Sequence, residues 1–109
     1  MSEECKPESV REAMEAIRAS IRGYLAANCR RTLALARLAG QERVRLEYRG
    51  FYRHYQPTQS FPKFTDALRY LFKCLEEEVE VDGIELAASA GSSAHATISL
   101  RTLEELCRD

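Results

Sequence analysis

The chain has 109 residues, 45% of them hydrophobic and 30% charged, which allows one globular domain with a single modest core and excludes a disordered chain. No apolar run approaches the ~20 residues of a membrane span, so no membrane partner is expected. The net charge of −1 is a cancellation between a middle region, residues 16–73, at +9 and flanking regions at −3 and −7.

Met1-Ser-Glu-Glu-Cys5 is acidic and lacks an apolar signal core, so the expected location is cytoplasmic. Cys5, Cys29, Cys74 and Cys107 form no C-x-x-C pair, which argues against a zinc site; no metal or other cofactor is expected. Cys29 and Cys74 lie among apolar residues and read as small hydrophobes, with a disulfide open as an alternative in a hyperthermophile.

Ser9-Val-Arg-Glu12 reads as a capping box. Val10, Met14, Ile17, Ile21, Tyr24 and Leu25 then recur at helical spacing, followed less cleanly by Cys29, Leu33, Leu35 and Leu38, with Gly40 as the stop. This is either one helix over about 9–38, ~45 Å long, or two helices broken near Gly23 or Asn28. The spacing 10-14-17-21-24-28 also fits a short heptad seam between two copies, with Asn28 fixing the register. A face packed on the domain's own sheet is the favoured reading.

Arg43 to Tyr55 alternates with period two and predicts one long strand bulged at Gly50. A hairpin turning at Arg49-Gly50 is the alternative, disfavoured because arginine fits poorly where φ is positive. Pro57-Thr-Gln-Ser60 is a loop, and Ser60 with Pro62 opens a second helix with Phe64, Leu68, Leu71, Leu75 and Val79 as its core stripe. Glu76, Glu77 and Glu78 stand at its C-terminal end, against the helix dipole. Val79–Val81 and Ile84–Leu86 flank an Asp82-Gly83 turn, Ala87 to Ser93 is a small-residue loop, and Ala96, Ile98 and Leu100 mark the buried face of another strand. Thr102-Leu-Glu-Glu105 caps a last short helix. The expected fold is α+β, in the order α-β-α-β-β-α. It is a single domain over 1–109, with a long N-terminal helix or helices packed on a small, mostly antiparallel sheet of three to four strands.

Eight of the nine aromatic residues fall between Tyr48 and Phe72, beside Arg49, Arg53, Lys63 and Arg69 and a single acid, Asp66. On one long strand the odd positions Arg43, Arg45, Glu47, Arg49, Phe51, Arg53 and Tyr55 share a face, with Val44, Leu46 and Tyr48 behind. Single-stranded nucleic acid requires this combination, since cations meet its phosphates and rings stack its bases. Arg43, Arg45, Arg49, Arg53 and Lys63 are the phosphate candidates. Phe51, Tyr52, Tyr55 and Phe61 are the stacking candidates, and Phe64 is a further cleft candidate. Tyr48, Phe64 and Phe72 equally suit the core, and a hairpin would pass stacking to Tyr52 and Phe61.

The cluster Phe51, Phe61, Phe64 and Phe72, flanked by Arg43, Arg45, Arg49 and Arg53, resembles ThermoDBP and its shorter relatives. These are single-stranded DNA-binding proteins of thermophilic archaea. The resemblance covers roughly residues 43–73. It implies a small α+β domain with a phenylalanine-lined cleft bordered by basic residues, and a homodimer formed through helical contacts. Leu103 and Leu106 alone make no zipper for such a contact.

No nucleophile elbow, P-loop or dinucleotide fingerprint is present, and His54 with His95 reads as two strand histidines, so no catalytic residue is expected. The sequence therefore predicts sequence-tolerant binding of single-stranded DNA or RNA. The competing reading is a protein-interaction or dimerisation module whose acidic and basic regions pair.

Overall fold

A computed structural model of the chain describes residues 5–75, 79–86 and 95–108. The Glu76–Glu78 run and the loop expected over Ala87 to Ser93 lie outside the described residues.

Helix α1 spans Pro7–Leu38. It opens on Pro7, whose missing N–H removes nothing from a first turn, so the expected capping box is displaced. Lys6 is the N-cap and Ser9 lies within the helix. Neither Gly23 nor Asn28 breaks it. Asn28 donates to the Tyr24 carbonyl one turn back at 3.0 Å, and Gly23 lies against His54, where an added Cβ would come within 3.1 Å. Thirty-two residues span about 48 Å at 1.5 Å each, which accounts for the molecule's 47 Å long axis. Gly40, at φ 66°, closes the helix as expected: the Gln41 amide donates to Ala36 and the Gly40 amide to Arg37, a Schellman arrangement.

Strand β1 is Arg43–Glu47, with Val44 and Leu46 turned inward. The long bulged strand is not formed, and neither is the hairpin. The chain enters a short helix, α2 (Tyr48–Tyr52), in which Tyr48 and Phe51 are both buried. A strand would send these two, three apart, to opposite faces; a helix puts both on one. Gly50 permits this by close approach, because a Cβ there would fall 2.5 Å from the Tyr24 ring.

Helix α3 (Phe64–Leu75) begins later than expected, and it buries Phe64, Leu68 and Leu71 as its spacing predicts. Strands β2 (Val79–Val81) and β3 (Ile84–Leu86) form a hairpin. Its turn residues Asp82 and Gly83 both have positive φ, 52° and 85°. Strand β4 (His95–Ser99) leads into α4 (Leu100–Leu106), which is capped by Ser99, not by Thr102. The Ser99 hydroxyl accepts from the Thr102 amide at 3.1 Å.

The sheet order is β1-β4-β3-β2, antiparallel throughout. Its inner face, Val44, Leu46, Val79, Val81, Ile84, Leu86, Ala96 and Ile98, belongs to one core with Ile17, Ile21 and Leu25 of α1 and Leu68 and Leu71 of α3. The fold is α+β, with helices on one face of a four-stranded sheet. The α1 seam is thus spent inside the chain: Ile17 and Ile21 are buried, and Val10, Met14 and Tyr24 pack against the core. That face packs against α3 and joins the core over the sheet's inner face. No helix among the described residues is long and apolar enough to cross a membrane.

The cysteines are not free hydrophobes. Cys5 pairs with Cys74, joining the start of α1 to the end of α3, and Cys29 pairs with Cys107, joining α1 to the end of α4. They close separations of 69 and 78 residues. In the chain-entropy account each bond alone stabilises by roughly 4 kcal/mol.

Candidate nucleic-acid interface

The residues after β1 are held to α1 by side-chain bonds. The Ser20 hydroxyl, fully buried, donates to the Phe51 carbonyl at 2.5 Å and ties α2 down. The loop that follows is closed on itself: the Tyr55 phenol donates to the Phe61 carbonyl at 2.6 Å, and the Phe61 amide donates to the Thr58 hydroxyl at 3.0 Å. Thr58 in turn donates to the Glu12 carboxylate at 2.6 Å, and the Ser60 amide reaches the same oxygen at 3.3 Å. Glu12, expected to serve the α1 cap, anchors this loop instead.

These bonds decide where the rings go. Phe51 is wholly buried and meets Tyr24 edge-on at 5.4 Å. Phe61 turns inward onto Tyr70, 5.2 Å away. Neither ring is open to a base. Phe64, 2% exposed, sits at the centre of the cluster with Tyr48, Phe51, Tyr52 and Tyr55 at 5.4–5.9 Å. Tyr52 is the exposed ring, at 42%.

Between these rings lies an apolar cleft of about 420 Å³. Tyr52, Tyr55 and Phe64 form its aromatic part, Pro57 and Pro62 its flat aliphatic walls, and Lys63 and Thr65 complete it. Burial raises the Tyr55 phenol above its ordinary pKa, and the carboxylates of Asp66 and Glu12 push the same way. The phenol therefore stays protonated and keeps its bond to Phe61. Pro57, Pro62 and Thr65 were missed from sequence; two prolines set between the aromatic stretch ending at Tyr55 and Phe64 were the available signal.

The predicted cations separate into two groups. Arg49 on α2 and Arg53 at its C-cap are exposed and stand on either side of Tyr52 in sequence, and Lys63 is exposed in the cleft lining. None of these three has an ion-pair partner among the described residues. Arg43 and Arg45 lie on the open face of the sheet with Glu47. There Arg43 is bonded to Glu85 at 2.9 Å, and Arg45 lies 3.1 Å from His95 Nδ1. The single odd-numbered face expected from Arg43 to Tyr55 is therefore not formed, because the strand ends at Glu47.

Part of the charge segregation is absorbed within the fold. Arg18 and Arg22 meet Asp82 at 3.4 and 3.5 Å, Arg37 meets Glu104 at 3.4 Å, and Arg43 meets Glu85. In each case the basic middle region meets the acidic C-terminal one. No family model, curated protein or solved structure matches this sequence.

Proposed function

We propose that the Tyr52 cleft holds a base of single-stranded DNA or RNA and that the protein binds, without catalysis and with little regard to sequence. The observation that carries this reading is a half-exposed tyrosine over an apolar cleft that Lys63 helps to line, with the exposed Arg49 and Arg53 close to that tyrosine in sequence and none of the three cations ion-paired among the described residues. Tyr52 offers its π-face and Pro57 and Pro62 flat aliphatic ones, while Arg49, Arg53 and Lys63 neutralise the flanking phosphates. Base–aromatic stacking of this kind contributes about 1–3 kcal/mol per base. A duplex hides its base faces and meets only the cations. Phe64 acts as the floor behind Tyr52. This is a narrower surface than the ThermoDBP resemblance implies, with tyrosine and proline where phenylalanines were expected.

Anisotropy titration with a fluorescent oligo-dT and a matched duplex tests the proposal. Binding favours the single strand, and log K falls against log salt with a slope of about −2 for three phosphates. Equal affinity for both probes, or none for either, rules the reading out.

The protein-interaction reading keeps one observation of its own. Leu35 and Leu38, near the free end of α1, are 59% and 87% exposed. They would supply the helical contact of a homodimer. Light scattering on the wild type and on Leu35→Glu/Leu38→Glu separates this from nucleic-acid binding, which the double variant leaves intact. In a cytoplasmic setting, two disulfides suit a hyperthermophile, whose intracellular proteins commonly carry them.

A further inference from the structure

The two disulfides differ in surroundings. Cys5 and Cys74 are both buried, whereas Cys29 and Cys107 are half-buried and line a groove of about 830 Å³. This groove lies on the flank of α1 away from the Tyr52 cleft: Arg18 and Arg22 face Asp82 there, while Ser20 and Gly23 face α2 and His54. Ile21, Leu25 and Leu106 line it as apolar residues, and Arg22, Arg30, Arg31 and Arg108 are its exposed cations. Arg30, Arg31 and Arg108 have no ion-pair partner among the described residues. The groove's acids are engaged, Asp82 by Arg18 and Arg22 and Glu105 by Arg101 at 4.0 Å.

Disulfide exchange needs access to sulfur and stabilisation of the departing thiolate, and nearby guanidinium groups supply the second. They also draw in a negatively charged attacking thiol. We propose that Cys29–Cys107 is a thiol–disulfide exchange site, and that its groove admits small carboxylate-bearing thiols.

The thiolate of such a molecule attacks Cys107 Sγ, a new S–S bond forms, and the Cys29–Cys107 bond breaks. Its electron pair leaves on Cys29 Sγ as a thiolate. Cys29 is the better leaving group because Cys107 caps the carbonyl end of α4, where negative charge is disfavoured. A second molecule of the thiol attacks the mixed disulfide at its non-protein sulfur and releases Cys107 as a thiolate. The protein gains two electrons, and two thiols become one small-molecule disulfide. Opening removes the covalent tie between α1 and α4, while Cys5–Cys74 continues to hold α1 to α3.

The test uses the oxidised full-length chain with glutathione and, at matched thiolate concentration, with uncharged 2-mercaptoethanol. Timed alkylation and peptide mass spectrometry follow both bonds. Cys29–Cys107 opens at least about tenfold faster than Cys5–Cys74, and the glutathione adduct is found on Cys107. The combined variant Arg30→Gln/Arg31→Gln/Arg108→Gln slows opening by glutathione severalfold more than opening by 2-mercaptoethanol. Simultaneous opening of both bonds, or earlier opening of Cys5–Cys74, overturns the proposal without any variant. Equal slowing for the two thiols overturns the groove's preference for anionic ones. The outcome is independent of whether the Tyr52 cleft binds nucleic acid.

Discussion

Two pairs of arginines leave one short stretch of chain and end in opposite circumstances. Arg43 and Arg45 stand on the open face of the sheet, where Glu85 pairs with the first and the His95 ring lies against the second. Arg49 on α2 and Arg53 at its C-cap are exposed and unpaired among the described residues, close in sequence to the exposed Tyr52. In the first pair Arg43 is already held by a carboxylate, and the surface carries no ring but the His95 imidazole. The second lies close in sequence to Tyr52, one of three rings that line an apolar cleft. Positive charge alone therefore does not mark a binding surface. A phosphate gains most from a cation that no carboxylate already holds, and a base gains only where a ring face is free.

The largest effect tests the division between rings that fold and rings that bind. Phe51→Ala removes a wholly buried side chain and is expected to cost about 3–5 kcal/mol of stability, read by denaturant unfolding. A stacking residue behaves otherwise: Tyr52→Ala is expected to lower single-strand affinity by about 1–3 kcal/mol, roughly 5- to 150-fold, while the unfolding midpoint shifts far less. A Phe51→Ala protein of unchanged stability but weakened binding would reverse the two assignments. The arginines come next. Arg49→Gln/Arg53→Gln is expected to reduce the salt slope by about 1.4, at ~0.7 per lost phosphate contact. Arg43→Gln/Arg45→Gln should leave that slope where it was, and an equal reduction from both double variants would erase the distinction between the two surfaces.

Why the division was only half legible follows from the residues. Phe64, Leu68 and Leu71 recur at helical spacing over a single face, and Asp82-Gly83 accepts positive φ at both turn positions, so α3 and the β2–β3 hairpin were readable locally. Residues 48–52 satisfy two patterns at once. Their alternation continues β1, yet Tyr48 and Phe51 also share a helical face. The choice is made by Tyr24, half-buried on α1, which fills the space a Cβ at position 50 would take. A contact spanning 26 residues of sequence has no local signature. The same holds for the disulfides, since four cysteines allow three pairings and spacing does not select one. Charge segregation was visible in the sequence, but which arginines remain unpaired depends on strand register, through Thr97, which lies opposite both Arg45 and Glu85.

The smallest effect separates two cleft tyrosines of different duty. Tyr55 holds the loop, and Tyr52 offers its ring. The Tyr55 phenol donates to the Phe61 carbonyl, and its folded-state pKa lies above the unfolded value, chiefly through burial and then through Asp66 and Glu12. A raised folded pKa means that the neutral form is favoured by folding. Its contribution is therefore complete below the unfolded phenol pKa of about 10 and is lost as pH rises through the folded one. Other groups titrate in the same range, so the informative quantity is a difference. Denaturant unfolding at pH 9 and pH 11 should show a larger loss of stability for wild type than for Tyr55→Phe, which has no phenol to ionise. Tyr52→Phe should lose as much as wild type, because it retains the Tyr55 bond. If Tyr55→Phe loses as much as well, the loop is held by Glu12, Thr58 and Ser60 alone. The cleft would then owe its shape to α1 and not to its own tyrosine.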